Sequence, residues 1–166
     1  AQIPSVCAFL GPTVTAEFAL PCIENALFDG EELVVVEALR SLVSLVELQL
    51  LTRQLILGNI RTITPLLLHP RQSIREFAMR FVVASAKELG RPDTYALLLP
   101  LLRPVLTYDL VGADLTLELL TSAVEEPISR KAYRRWLHEH ASRQGLIKAD
   151  SISTESTGAG QHDEMG

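Results

Sequence analysis

Aromatic residues are scarce in this chain, at 5% of its 166 positions. Its core must therefore be built from Leu, Val, Ile and Ala, within an apolar content of 48% that is ordinary for a globular chain. That is the palette of a helical repeat. Cysteine is scarcer still: Cys7 and Cys22 are the only two. They lack the C-x-x-C spacing of a zinc or redox motif and sit inside apolar helical stretches, so each is expected to pack as a buried, reduced thiol. There is no glycine-rich phosphate loop, since Gly158, Gly160 and Gly166 follow no strand and open no helix. Kinase signatures of the H-R-D and D-F-G type are missing too, which excludes phosphoryl transfer by these residues. No excess of positive charge exists. The net charge of −5 argues against a general nucleic-acid binder. No Asn-x-Ser/Thr sequon and no signal peptide are found, and the expectation is an intracellular chain.

A long uncharged run is also missing. The most apolar stretch, residues 33–51, carries Glu37, Arg40 and Glu47, more charge than a spanning helix of about 20 residues tolerates. With Ser41 and Ser44 these charges recur at three- and four-residue steps and form one narrow polar stripe, the pattern of a heavily buried soluble helix.

What the chain does have is repetition. Pro65-Leu66-Leu67-Leu68-His69-Pro70 is echoed by Pro100-Leu101-Leu102-Arg103-Pro104, and the segment 29–38 aligns without a gap on 69–78, placing Ala38 over Ala78. Offsets of roughly 35 to 40 residues are those of paired-helix solenoids. One helical hairpin cannot bury its own apolar face, so neighbours must stack. The expected fold is all-α, a HEAT-type α-solenoid of about three to four helical hairpins in a right-handed stack over residues 1–145. A disordered acidic tail follows over 146–166, where Ser, Thr, Gly and acidic residues cannot offset their ordering entropy. Ala1-Gln2-Ile3-Pro4, without an initiator Met, reads as the interior of a longer protein.

Punctuation marks the hairpins. Gly11-Pro12 stops one helix and starts the next, which runs over 12–28 with a kink at Pro21. Asp29 caps a helix over 31–48, with Glu32 completing a capping box and Glu31 and Glu32 near its positive end. That helix buries Val35, Leu39, Leu42, Val46 and Leu50. Its return partner, 52–68, is interrupted near Gly58-Asn59 and bent at Pro65. The helix over 71–89 places Ile74, Phe77, Ala78, Phe81, Val82 and Ser85 on one face, Gly90 ends it, and Pro92 with Asp93 opens 94–102. Residues 113–124 and 128–142 form a fourth pair around Glu126-Pro127.

The run Leu67-Leu68-His69-Pro70 through Ile74-Arg75, Ala78, Phe81, Ala86, Asp93-x-Tyr95 and Leu99-Pro100-x-Leu102-x-Pro104 resembles the HEAT-repeat region of the class III phosphatidylinositol 3-kinase regulatory subunit. Glu126-Pro127-Ile128-Ser129-Arg130 and Asp29-Gly30-Glu31-Glu32-Leu33-Val34 are similar to the same family. The likeness spans 6–143, and departs at 106–119 and in the tail. It implies a segment joining a protein-kinase-like domain to WD repeats, in a parent that organises the lipid kinase catalytic subunit and its autophagy or endosomal partners. It also implies a cytoplasmic location, peripheral on endosomal or autophagic membranes through that complex. An adaptor of a transport or phosphatase complex is the alternative that the repeats leave open.

No catalytic residue, cofactor or metal is expected. His138-Glu139-His140 puts its imidazoles two apart on a helix, facing away from each other, where zinc helices need i and i+4. His69 is a turn residue and His162 lies in the tail. Asp29, Glu31 and Glu32 are accounted for by capping. Arg75 is expected to stitch adjacent repeats with its planar fork, and Ala38, Phe77, Ala78 and Phe81 to pack between them. The last helix is the best functional candidate. Arg130, Lys131, Arg134, Arg135 and Arg143 outnumber Glu139, with Tyr133 and Trp136 interleaved. Three readings stand open: solvated charges around a core-capping Trp136 and Leu137, a grip on a partner's acidic face, or contact with an anionic membrane or nucleic acid.

Overall fold

The computed structural model describes residues 2–110, 112 and 114–143, with 137–143 described by backbone alone. The described residues are helical apart from turns and two non-helical stretches, within 106–116 and over 124–129, which meet at Leu106 and Val124. The first hairpin sets α1 (Ile3–Leu10) against α2 (Pro12–Val14), which continues through a π-helical turn at Thr15–Ala19 into α3 (Leu20–Ala26). The second sets α4 (Glu32–Glu47) against α5 (Arg53–Ile63) and a 3-10 extension at Thr64–Leu68. The third begins with α6 (Gln72–Asp93), broken at Gly90, and returns through a π-helical turn at Thr94–Leu98, α7 (Leu99–Leu102) and a 3-10 turn at Arg103–Val105. Two short elements follow, α8 (Leu117–Ala123) and α9 (Arg130–Arg143).

The hairpins stack in two layers. In one layer α1, α4, α6 and α8 lie side by side, and in the other the return helices touch. The core runs across both without interruption. Leu39, Leu42, Leu45, Ile74, Ala78, Phe81 and Val82 are wholly enclosed where α4 meets α6, and Ile60, Ile63, Leu67, Leu98 and Leu102 are enclosed in the return layer. Helical periodicity reads Leu39, Leu42, Ile74, Ala78, Phe81 and Val82 correctly, because burial follows the helical period there. Cys7 is buried as expected, but Cys22 lies exposed on the outer side of α3, since the first hairpin has no described neighbour there.

A third echo in the chain is one of backbone chemistry. Gly11 and Gly90 both hold a positive φ, 85° and 75°. Four residues on, Thr15 and Thr94 turn their hydroxyls back to the carbonyl eight positions earlier, Cys7 O at 3.5 Å and Ala86 O at 3.1 Å. Ten residues after each glycine stands a proline, Pro21 or Pro100. A proline inside a helix has no N–H to give and its ring crowds the carbonyl four residues back. In both hairpins the helix widens into a π turn just before it. The expected kink at Pro21 is thus a π turn.

Three local expectations are corrected. The break near Gly58-Asn59 is not there: α5 is continuous, and Asn59 is buried, its amide donating to Glu24 Oε1 and Leu55 O at 3.0 Å each. The capping box before α4 is replaced by an Asx turn, in which Asp29 Oδ1 accepts from the Glu31 N–H at 2.8 Å. The fourth hairpin does not close. α8 stacks on α6 as a fourth helix of its layer, but α9 is carried elsewhere by the extended chain between them. The expectation of a disordered tail falls on residues outside those described.

Candidate functional site

The segment between α8 and α9 crosses the ends of the return helices as a strand would. Thr107 N–H donates to Ala123 O at 2.8 Å, Glu125 N–H to Val105 O at 3.0 Å and Ile128 N–H to Leu68 O at 3.0 Å. These bonds deliver the start of α9 to the turn that ends the second hairpin. There Ser129 Oγ accepts from the Ala132 N–H at 3.2 Å and starts the helix, as N-cap serines do.

α9 docks on that turn by rings and charge. The Tyr133 and His69 rings meet edge-on with centroids 4.3 Å apart, and Trp136 lies against Tyr133 at 5.8 Å. Both Tyr133 and His69 are buried. His69 Nδ1 accepts from the Arg71 N–H at 2.9 Å, which requires the tautomer with its proton on Nε2. Burial is the largest cause that holds its imidazole below the ordinary value of 6.5, helped by the Arg130 and Arg75 charges and opposed by Glu32. Burial also pushes the Tyr133 phenol well above its usual range. Beside the rings a cleft of about 150 Å³ is lined by Leu27, Val35 and Ile74 with Asp29, Glu32 and Arg130 at its mouth.

Glu32 joins three elements. Its carboxylate meets Arg71 Nη1 at 2.9 Å and Arg130 Nη2 at 3.6 Å, so α4, the start of α6 and the start of α9 converge on one acid. Arg75 donates to His69 O at 2.7 Å and Pro70 O at 3.1 Å, tying the first turns of α6 to the chain that leaves the second hairpin. Ala38, Ala78 and Phe81 lie in the core between α4 and α6. Phe77 is half-buried with two guanidiniums over its ring, Arg40 at 5.1 Å and Arg80 at 5.5 Å from its centroid.

Of the residues singled out on α9, Tyr133 and Trp136 face the stack, Arg130 is shared with Glu32, Lys131 and Arg135 are exposed, and Arg134 is exposed at the edge of the cleft. His138, Glu139, His140, Leu137 and Arg143 have side chains outside the described set. The sequence reading missed Glu32 as a tie and His69 as an anchor. Capping already accounted for Glu32, and Pro70 for the turn at His69. The scarcity of rings was the available signal, because in a chain with so few Tyr and Trp residues a Tyr-Trp pair needs a partner. The arrangement is cohesive rather than reactive: Asp29 Oδ1 is spent on the Glu31 N–H, and Glu32 on two guanidiniums. No metal-binding group of His, Cys, Asp and Glu forms among the described residues, and no helix among them is long and apolar enough to cross a membrane.

Comparison with known proteins agrees with the resemblance. The family model described as PIK3R4-like, middle domain, matches residues 1–137. A Candida glabrata protein named a non-specific serine/threonine protein kinase is 31% identical over 137 residues, covering 81% of this chain and 10% of the relative. A probable serine/threonine-protein kinase vps15 of Dictyostelium discoideum is 31% identical over 161 residues, 92% of this chain and 8% of the relative. The serine/threonine-protein kinase VPS15 of Arabidopsis thaliana is 34% identical over 117 residues, 70% and 8%. The chain thus spans a tenth or less of the length of these relatives. It belongs to the PIK3R4-like family, the regulatory subunits that its residues resemble, and matches that family's middle domain.

Proposed function

We propose that this segment is a non-catalytic scaffold, a spacer that fixes the distance and angle between a kinase-like domain and WD repeats in a class III phosphatidylinositol 3-kinase regulatory subunit. The observation that carries the reading is the unbroken core through the stacked hairpins, with the enclosed seam between α4 and α6 at its centre. Such a stack bends little at each interface and transmits position along its length. Through it the parent holds the lipid kinase catalytic subunit and its autophagy or endosomal partners, and the assembly works peripherally on those membranes. Any catalysis in the parent belongs to residues outside this segment. No residue described above favours the transport or phosphatase adaptor.

The test is quantitative mass spectrometry on the tagged full-length parent, purified from its own cells. Recovery of a phosphatidylinositol 3-kinase catalytic subunit in near-equal amount supports the reading. Recovery of some other complex in its place discards the lipid-kinase function. A second arm places Leu102→Asp in the parent. Leu102 is wholly enclosed, and the charge is expected to loosen the third hairpin and reduce catalytic-subunit recovery. Unchanged recovery alongside a lowered melting point would show that the spacer is not what assembles the complex.

A further inference from the structure

The ridge along which the return helices turn into the next hairpin carries one helix, α9, on which three of the described cations share one side. Around α9, Tyr133 and Trp136 point into the stack, while Lys131, Arg134 and Arg135 are exposed at i, i+3 and i+4, with Arg134 also at the edge of the cleft that Asp29 and Glu32 line. All three are exposed, and no described acidic group pairs with any of them. Arg130, on the flank, is drawn aside by Glu32. The helix is not free to turn, because the Ile128–Leu68 bond, the His69–Tyr133 contact and the Glu32–Arg130 pair fix its start and its rotation. A chain with an overall charge of −5 therefore displays a fixed cationic stripe about one helical turn long.

We infer that the Lys131–Arg134–Arg135 stripe is a docking surface for an acidic helix of a protein partner, one with carboxylates at i, i+3 and i+4. Charge complementarity and spacing both select that occupant. Two helices packed 8–10 Å apart bring such rows within reach of each other, and two of the three cations are guanidiniums, whose forks match carboxylates two bonds at a time. A lipid surface fits less well. Helices that lie on membranes sink an apolar face into the headgroup boundary, and here the aromatic side of α9 is already used against His69. The inference does not rest on the lipid-kinase reading, since it needs only the geometry of α9.

The experiment uses the intact chain and three probes. One is a labelled alanine-based helical peptide of about 20 residues, long enough to hold helix on its own, with Glu at i, i+3 and i+4. Another keeps the same glutamates with the helix broken by proline. The third is vesicles of phosphatidylcholine with one-fifth phosphatidylserine. The helical peptide is expected to bind more tightly than the broken one. The triple variant Lys131→Glu, Arg134→Glu, Arg135→Glu, all on a solvent face, is expected to weaken it about tenfold or more at low salt. Arg134→Lys with Arg135→Lys keeps the charge and is expected to lose affinity, because the forks are gone. Tyr133→Ala keeps every cation and is expected to lose affinity too, because the stripe is no longer held. Equal binding of both peptides, or binding that survives the triple reversal, overturns the inference. Flotation with the vesicles that the reversal abolishes, without preference for the helical peptide, assigns the stripe to membranes instead.

Discussion

Single side chains decide how α9 is held, and three of them make separable expectations. His69 is neutral in the fold, with its imidazole held below 6.5 by burial. A lowered value in the folded state means that the unfolded chain takes up the proton first as pH falls. The contribution of His69 is therefore complete above about 6.5 and is lost as pH drops through the folded value. Melting measured from pH 8 to pH 5 is expected to show a decline on the acid side, and His69→Gln should flatten it. An equal slope in the variant would place the titration elsewhere. Tyr133→Ala removes the ring that covers His69 and is expected to cost about 3 kcal/mol in chemical denaturation. Tyr133→Phe keeps the ring and should cost under about 1 kcal/mol. At Phe77 the sign of a new charge matters. Arg40 and Arg80 lie over the ring and are each paired with an acid, Glu37 at 3.3 Å and Glu76 at 2.7 Å. A carboxylate at 77 adds a partner for both guanidiniums, while a lysine competes with them for those two acids, so Phe77→Lys is expected to melt lower than Phe77→Glu. The reverse order would mean that the guanidiniums do not hold their places over the ring.

Whole elements show where sequence reading works and where it stops. The α4 and α6 faces were legible residue by residue, because Leu39, Leu42, Ile74, Ala78 and Phe81 follow the helical period and burial does nothing more than honour it. The π turns were not. The Gly, Thr and Pro spacing stands twice in the chain, yet nothing local says that a helix meets a proline by widening rather than by bending. The hydroxyls of Thr15 and Thr94 supply the test. Thr94→Val removes a buried bond to Ala86 O and is expected to destabilise by about 1–2 kcal/mol. Thr15→Val, whose hydroxyl keeps a nearer acceptor in Gly11 O at 2.8 Å, should cost a similar amount if that bond carries the effect. Denaturant titration of both variants would check this. The position of α9 was the least legible feature. Its amphipathic pattern is real, but a pattern names a face and not the surface that face meets. The apolar side was read as the end cap of a fourth hairpin when it packs on the second.

At the scale of the molecule, Glu32 is the point where the hairpins and the last helix meet. Glu32→Ala removes both ion pairs, which are partly exposed and worth about 1 kcal/mol or less together. Hydrogen exchange is the sensitive measurement. Amides of α9 are expected to lose protection while those of α4 and α6 keep theirs, since the core between them does not touch Glu32. Loss of protection across the whole chain would instead mean that α9 and the stack open together. That alternative is worth the measurement, because of how far α9 reaches back. In an ordinary solenoid each unit knows only its neighbours, so unfolding can creep inward from an end like a falling row of dominoes. Here Arg130 meets Glu32, on the order of a hundred positions earlier in the chain, and so closes a large loop in contact space. The stack can assemble hairpin by hairpin as it leaves the ribosome, but this last clasp has to wait for the end. Closure of that ring adds a last step, after the hairpins have stacked, that a chain ending before α9 would not have.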